Sequence, residues 1–98
     1  MKNIVLVVKL TIKENYVEYV TKELLTLHKL THQEDKGCIQ YDLHTLNEEP
    51  NSLMLIETWE DQQSLDEHKL KSHFIEFMKK VDNKLEKMEF NILEKIGE

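Results

Sequence analysis

The segment running from residue 3 to residue 12, NIVLVVKLTI, restricts the fold more than any other part of the chain. It is rich in β-branched residues. A two-residue period puts Ile4, Leu6, Val8, Leu10 and Ile12 on one side and Val5 and Val7 on the other. A strand that is apolar on both faces needs cover on both, here helices over one face and a partner sheet over the other. A chain of 98 residues forms one domain, residues 1–98. Such a domain buries only roughly two-thirds of its unfolded surface, and a pocket for a ring-shaped substrate thins the core further. Pairing two copies recovers that burial, so a homodimer is expected.

The rest of the chain alternates between periods. From about residue 14 to residue 33 the period is helical. Tyr16, Val20, Leu24, Leu27 and Thr31 face inward, while Glu18, Lys22, Glu23 and Lys29 face out. Gly37 follows as a turn residue able to take the left-handed conformation. Residues 38–45 alternate again, with Ile39, Tyr41 and Leu43 on one face. A polar turn over residues 47–51 joins them to a third strand over 53–60, giving a hairpin with a rather long loop. Asp61 is placed to cap a second helix, broken near Leu70 and Lys71, with Ser72 capping the continuation. A last strand is predicted from about Met88 to Ile96. The order strand, helix, strand, strand, helix, strand is that of a ferredoxin-like α+β domain.

Composition excludes several classes. The net charge is −6 and no basic stripe exists, so nucleic-acid binding is not expected. The longest apolar run, Ile4 to Val8, spans five residues, too few to cross a bilayer, and no signal-peptide cleavage pattern follows it. The single cysteine, Cys38, suits a reducing compartment, and the expected location is the cytoplasm. No Gly-x-Gly-x-x-Gly or phosphate-binding loop is present.

The stretch ETWEDQQSLDEHKLKSHF, residues 57–74, carries a more specific pattern. Glu57-x-Trp59 closes a strand, Leu65 follows six places after the tryptophan, and His68, His73 and Phe74 come next. Upstream, EDKGCIQY closes the first helix and opens the second strand. Together these resemble the antibiotic-biosynthesis monooxygenase family, most closely its small stand-alone quinol-monooxygenase-type members, along essentially the whole chain. The resemblance implies a ferredoxin-like unit whose two copies join their sheets into a dimeric barrel. It also implies an aromatic or carbonyl-bearing ligand held between sheet and helices, without flavin or metal. Haem-degrading relatives use a histidine at the position of Met78 and an asparagine near Val8, so haem degradation is not expected.

Each candidate side chain has a packing explanation beside a functional one. Trp59 fills the gap between sheet and helix, or forms a flat wall whose indole N–H meets a polar ligand atom. Glu57 shares that face and needs a partner, whether a histidine, a lysine or helix-start amides, unless it accepts a proton with a raised pKa. His68 shares a helical face with Leu65 and is the first candidate for general base or substrate anchor. His73 is the second catalytic candidate, and bonds to a backbone carbonyl or to Glu57. Tyr41 offers a hydroxyl, and Phe74, Phe77 and Met78 supply apolar substrate-binding surface. His28, His32 and His44 are assigned to surface or packing. No metal is expected, because His68 and His73 are five apart and off the helical i, i+4 spacing.

These residues point first to a cofactor-free monooxygenase acting on a quinol- or hydroxyanthrone-like aromatic with O₂. The alternatives are an isomerase of a small phosphorylated carbonyl compound and a non-catalytic ligand-binding module. The isomerase needs a phosphate anchor, and the chain contains no arginine to provide one.

Overall fold

A computed structural model describes residues 3–97. The elements follow the expected order. They are β1 (Ile4–Ile12), α1 (Val17–Glu34) after a 3₁₀ turn at Glu14–Tyr16, β2 (Cys38–Leu46), β3 (Glu49–Trp59), α2 (Gln62–Leu70), α3 (Ser72–Lys80) and β4 (Leu85–Leu93). All strand pairs are antiparallel, in the order β2-β3-β1-β4, so the doubly apolar β1 occupies an inner position.

The three helices lie over one face of this sheet. Leu6, Val8, Leu10 and Ile12 of β1 and Leu53 and Leu55 of β3 are buried beneath them, against Val20, Leu24 and Leu27 of α1. Burial of these side chains outweighs the modest intrinsic preference of each segment and fixes the register. Val5 and Val7 face the other way and are half-buried. The helix layer covers the sheet unevenly. On β4, Phe90 pairs with Val8 and Ile92 with Leu6, yet they remain 51% and 63% exposed.

Several local expectations are corrected. The hairpin is tight rather than long: strand pairing resumes at Glu49, leaving Asn47 and Glu48 as the turn, with Glu48 at φ 65°. Ile39 does not share the Tyr41 face. Cys38 pairs with Trp59 and Gln40 with Thr58, so Ile39 is the extra residue of a bulge and lies exposed. Gly37 is needed for space rather than for a left-handed backbone. A Cβ there would lie 2.2 Å from Cβ of Ser64 and 2.0 Å from its Oγ. Asp61 caps α2 as expected, accepting from the Ser64 N–H at 2.8 Å. Ser72 is not a cap: the break falls at Lys71, whose extended backbone (ψ 145°) ends α2 and starts α3. β4 begins at Leu85 because that residue pairs with Ile12 across a second irregularity, three residues before the predicted start.

Candidate active site

The buried stripe of α1 runs Val20, Leu24, Leu27, Thr31, and its next helical step is Asp35. Asp35 ends the helix with its side chain buried beneath α2 and α3. Such a carboxylate needs donors. Two histidines supply them. His68 Nδ1–H donates to Asp35 Oδ2 in a close contact. His73 Nε2–H donates to the same oxygen at 3.3 Å and lies 3.1 Å from Oδ1, off the direction of a good hydrogen bond. Lys71 Nζ adds positive charge 3.8 Å from Oδ1.

The kink at Lys71 makes this convergence possible. On one unbroken helix, residues five apart point roughly 140° away from each other. Here His68 closes α2 and His73 opens α3, so both imidazoles address one carboxylate. A five-residue spacing argues against a shared metal site on one continuous helix; the break removes that objection. The donor atoms of Asp35, His68 and His73 lie within 4.8 Å of one another, a grouping that could hold a metal ion. Asp35 already serves as the hydrogen-bond acceptor of both imidazoles, and the Lys71 ammonium would repel a further cation. The chemistry of the trio favours proton transfer.

Asp35 also fixes the state of His68. A carboxylate only accepts, so Nδ1 carries the proton and Nε2 of the neutral ring presents a lone pair. The Tyr41 hydroxyl donates to that nitrogen at 3.5 Å. Burial pushes the His68 pKa below the ordinary histidine range, against the upward pull of Asp35. The result is a neutral base at neutral pH. Burial also raises the Tyr41 phenol, helped by the nearby Glu57 carboxyl, so Tyr41 stays a hydrogen-bond donor.

Aromatic rings enclose the imidazole. Trp59 stands 4.6 Å from it between centroids, Phe74 5.0 Å and Tyr41 5.4 Å. The expected approach of Trp59 and His68 on one side of the sheet is therefore present, but the rings fill the space between them. Trp59 is 0% and His68 2% exposed. The indole N–H is already engaged: it donates to Glu57 Oε1 at 2.9 Å, which gives the buried carboxyl a partner that sequence reasoning did not name. Burial nevertheless lifts Glu57 to about 7, the Trp59 hydrogen bond opposing the shift. His73 likewise bonds to Asp35 rather than to Glu57 or a backbone carbonyl.

Three depressions surround the cluster. A polar one of about 110 Å³ reaches His68 and Asp35 from the side of Gly37, Ser64 and Lys71. A groove of about 470 Å³ between α1 and α3 is lined by His73 and Phe77 among others. A third, of about 400 Å³, is lined by Phe74, Met78, Ile75, Lys69, Lys79 and Asp82. Phe74 therefore touches His68 with its ring and also lines an outer groove, whereas Phe77 belongs to the core.

Comparison with known proteins agrees with this architecture. The family model described as antibiotic biosynthesis monooxygenase matches residues 3–80. Among solved structures, a conserved protein from Methanosarcina mazei Go1 is similar at 32% identity and TM-score 0.89, covering 98% of this chain and 95% of that one. A Pseudomonas aeruginosa protein is 25% identical with TM-score 0.91, covering 99% and 97%. The crystal structure of an antibiotic biosynthesis monooxygenase, 19% identical over 96% of this chain and 99% of that one, has a TM-score of 0.88. No curated protein sequence matches.

Proposed function

Because the chain belongs to the antibiotic biosynthesis monooxygenase family, we propose that it oxidises a quinol- or hydroxyanthrone-like aromatic with O₂, without a cofactor, using His68 as the base. The observation that carries this reading is the His68 imidazole held neutral with Nε2 unprotonated inside a ring of aromatic side chains. Nε2 takes a proton from the substrate, and Asp35 stabilises the imidazolium that results. The electron-rich anion passes one electron to O₂, and the radical pair recombines as a carbon-bound peroxide. For a hydroxyanthrone methylene, loss of water from that peroxide leaves a carbonyl. One oxygen atom enters the product, the other leaves as water, and the two methylene hydrogens are accounted for. A dry apolar setting favours recombination over escape of superoxide.

Substrate enters by displacing Phe74, the ring that separates His68 from the 400 Å³ groove. Trp59 and Tyr41 then face the bound ring, Met78 and Ile75 flank the approach, and Glu57 holds the indole in place. His73 keeps Asp35 oriented and serves as a proton relay. A second copy of the chain covers the open sheet face, where Val5, Val7, Met54 and Ile56 are half-buried in one chain. Among the described residues no helix is long and apolar enough to cross a membrane.

The test is oxygen consumption and product formation with a menadiol-type quinol and with a hydroxyanthrone. Turnover should exceed spontaneous oxidation and drop by roughly 10²–10⁴-fold in His68→Asn. Equal rates with and without protein would refute the oxidation, and conversion of a phosphorylated carbonyl compound without O₂ uptake would support the isomerase instead.

A further inference from the structure

We propose that His28, His32 and Asp42 form a second site, one that binds a divalent transition-metal ion of the zinc class at the edge of the sheet. His28 and His32 sit four residues apart on α1, so their imidazoles leave the same face of the helix. Their ring centroids are 4.5 Å apart at an interplanar angle of 76°. The third donor comes from β2, which among the described residues is an edge strand of the sheet. Donor atoms of all three residues lie within 4.8 Å of one another. Metal–ligand bonds of about 2.1 Å place donors at most ~4.2 Å apart, and side chains that are exposed or half-buried close the difference by rotating. Two imidazoles and one carboxylate suit zinc, copper and nickel better than magnesium or calcium, which prefer oxygen.

An independent feature separates this cluster from chance proximity. Metal-binding carboxylates are typically steadied by hydrogen bonds from behind. Gln40 Nε2 donates to Asp42 Oδ2 at 2.9 Å, and Thr58 Oγ1 donates to Gln40 Oε1 at 2.9 Å. The carboxylate is thus oriented by a chain of two partners reaching into β3, leaving Oδ1 for an ion. The two histidines sit at the surface and pack against each other, and the proposed site gives them a role beyond that packing. Their i, i+4 spacing was present in the sequence, but the carboxylate completing the set lies on another element.

Untagged protein, stripped with chelator and titrated calorimetrically with Zn²⁺, should take up one ion per chain through this site. His32→Ala and Asp42→Asn, both at exposed positions, should weaken that binding at least about tenfold, and Gln40→Ala by about tenfold. His73→Ala should leave it unchanged. Visible absorption of the Co²⁺ form should change in His32→Ala and not in His73→Ala. Failure to bind Zn²⁺ overturns the proposal. So does binding that survives His32→Ala and Asp42→Asn, or that disappears only in His73→Ala, which would move the ion to the buried trio.

Discussion

The molecule carries two clusters built from the same parts, two histidines and an aspartate, each drawing on α1 or the residue that ends it. In one, Asp35, His68 and His73 are packed under α2 and α3. In the other, His28, His32 and Asp42 stand at the sheet edge. The difference is solvent. Beneath the helices the carboxylate takes its donors from the imidazoles, because water is excluded and an unpaired charge is costly. That pairing fixes a tautomer and creates a base. At the edge the carboxylate is held by an amide from behind, and the imidazoles remain available to an ion. On the two proposals made above, burial rather than side-chain identity separates proton chemistry from metal binding.

The comparison can be broken most directly at the two aspartates. Asp35→Asn should lower turnover roughly a hundredfold or more, since an amide can present its N–H₂ to Nδ1 and favour the wrong tautomer. Asp42→Asn should leave turnover near that of the wild type, and equal losses in the two variants would erase the distinction. The next largest effect concerns Glu57. Its carboxyl is raised from 4.5 to about 7, so the native state holds a proton that the unfolded chain releases over that interval. The contribution of Glu57 to stability is then fully present below pH 4.5, is lost as pH rises to about 7, and is constant above. Glu57→Gln, neutral throughout, should be more stable than wild type by up to about 3 kcal/mol at pH 8, with the gap closing in acid. Parallel denaturation curves at all pH values would contradict this.

Folding stability offers a smaller contrast. Asp35→Ala leaves the buried His68 N–H without its acceptor, at about 1–3 kcal/mol, whereas Asp42→Ala at an exposed position should change stability by less than about 0.5 kcal/mol. Chemical denaturation of the two variants measures both. The smallest effect is a shift in the acid limb of the rate profile. His68 must be neutral to act and burial lowers its pKa, so half-maximal activity should fall below pH 6.5. Asp35 pulls that pKa upward, and its replacement should move the limb lower still in whatever activity remains. A limb above pH 6.5 would show that another group titrates.

Much of this was legible in the chain. The two-faced apolar run marked β1 as a strand needing cover on both faces, and the spacing of Leu65 and His68 put the imidazole on the inward face of α2. Trp59 and Glu57 followed from strand alternation. Asp35 was missed, although a signal existed: it continues the stripe of Val20, Leu24, Leu27 and Thr31 by one more step. Its setting among Glu34 and Lys36 reads as a solvated helix end, and its partners lie 33 and 38 residues away. The pairing of Trp59 with Glu57 was hidden for a different reason, since neighbours on one strand face are seldom assumed to bond to each other. Ile39 was assigned to the wrong face because a bulge leaves no mark in the alternation that precedes it.

The kink between α2 and α3 has a consequence for how such a chain can vary. Lys71 is the single extended residue between the two helices, so adding or deleting one residue there would change the length of the joint and displace α3 as a unit, moving His73 relative to Asp35 while leaving His68 in place. Descendants of this sequence are therefore free to drift in loop length at the β2–β3 hairpin but not at this joint. A relative whose spacing between the two histidines differs is expected to lack the contact of the second imidazole with Asp35 or to have rebuilt it with another side chain.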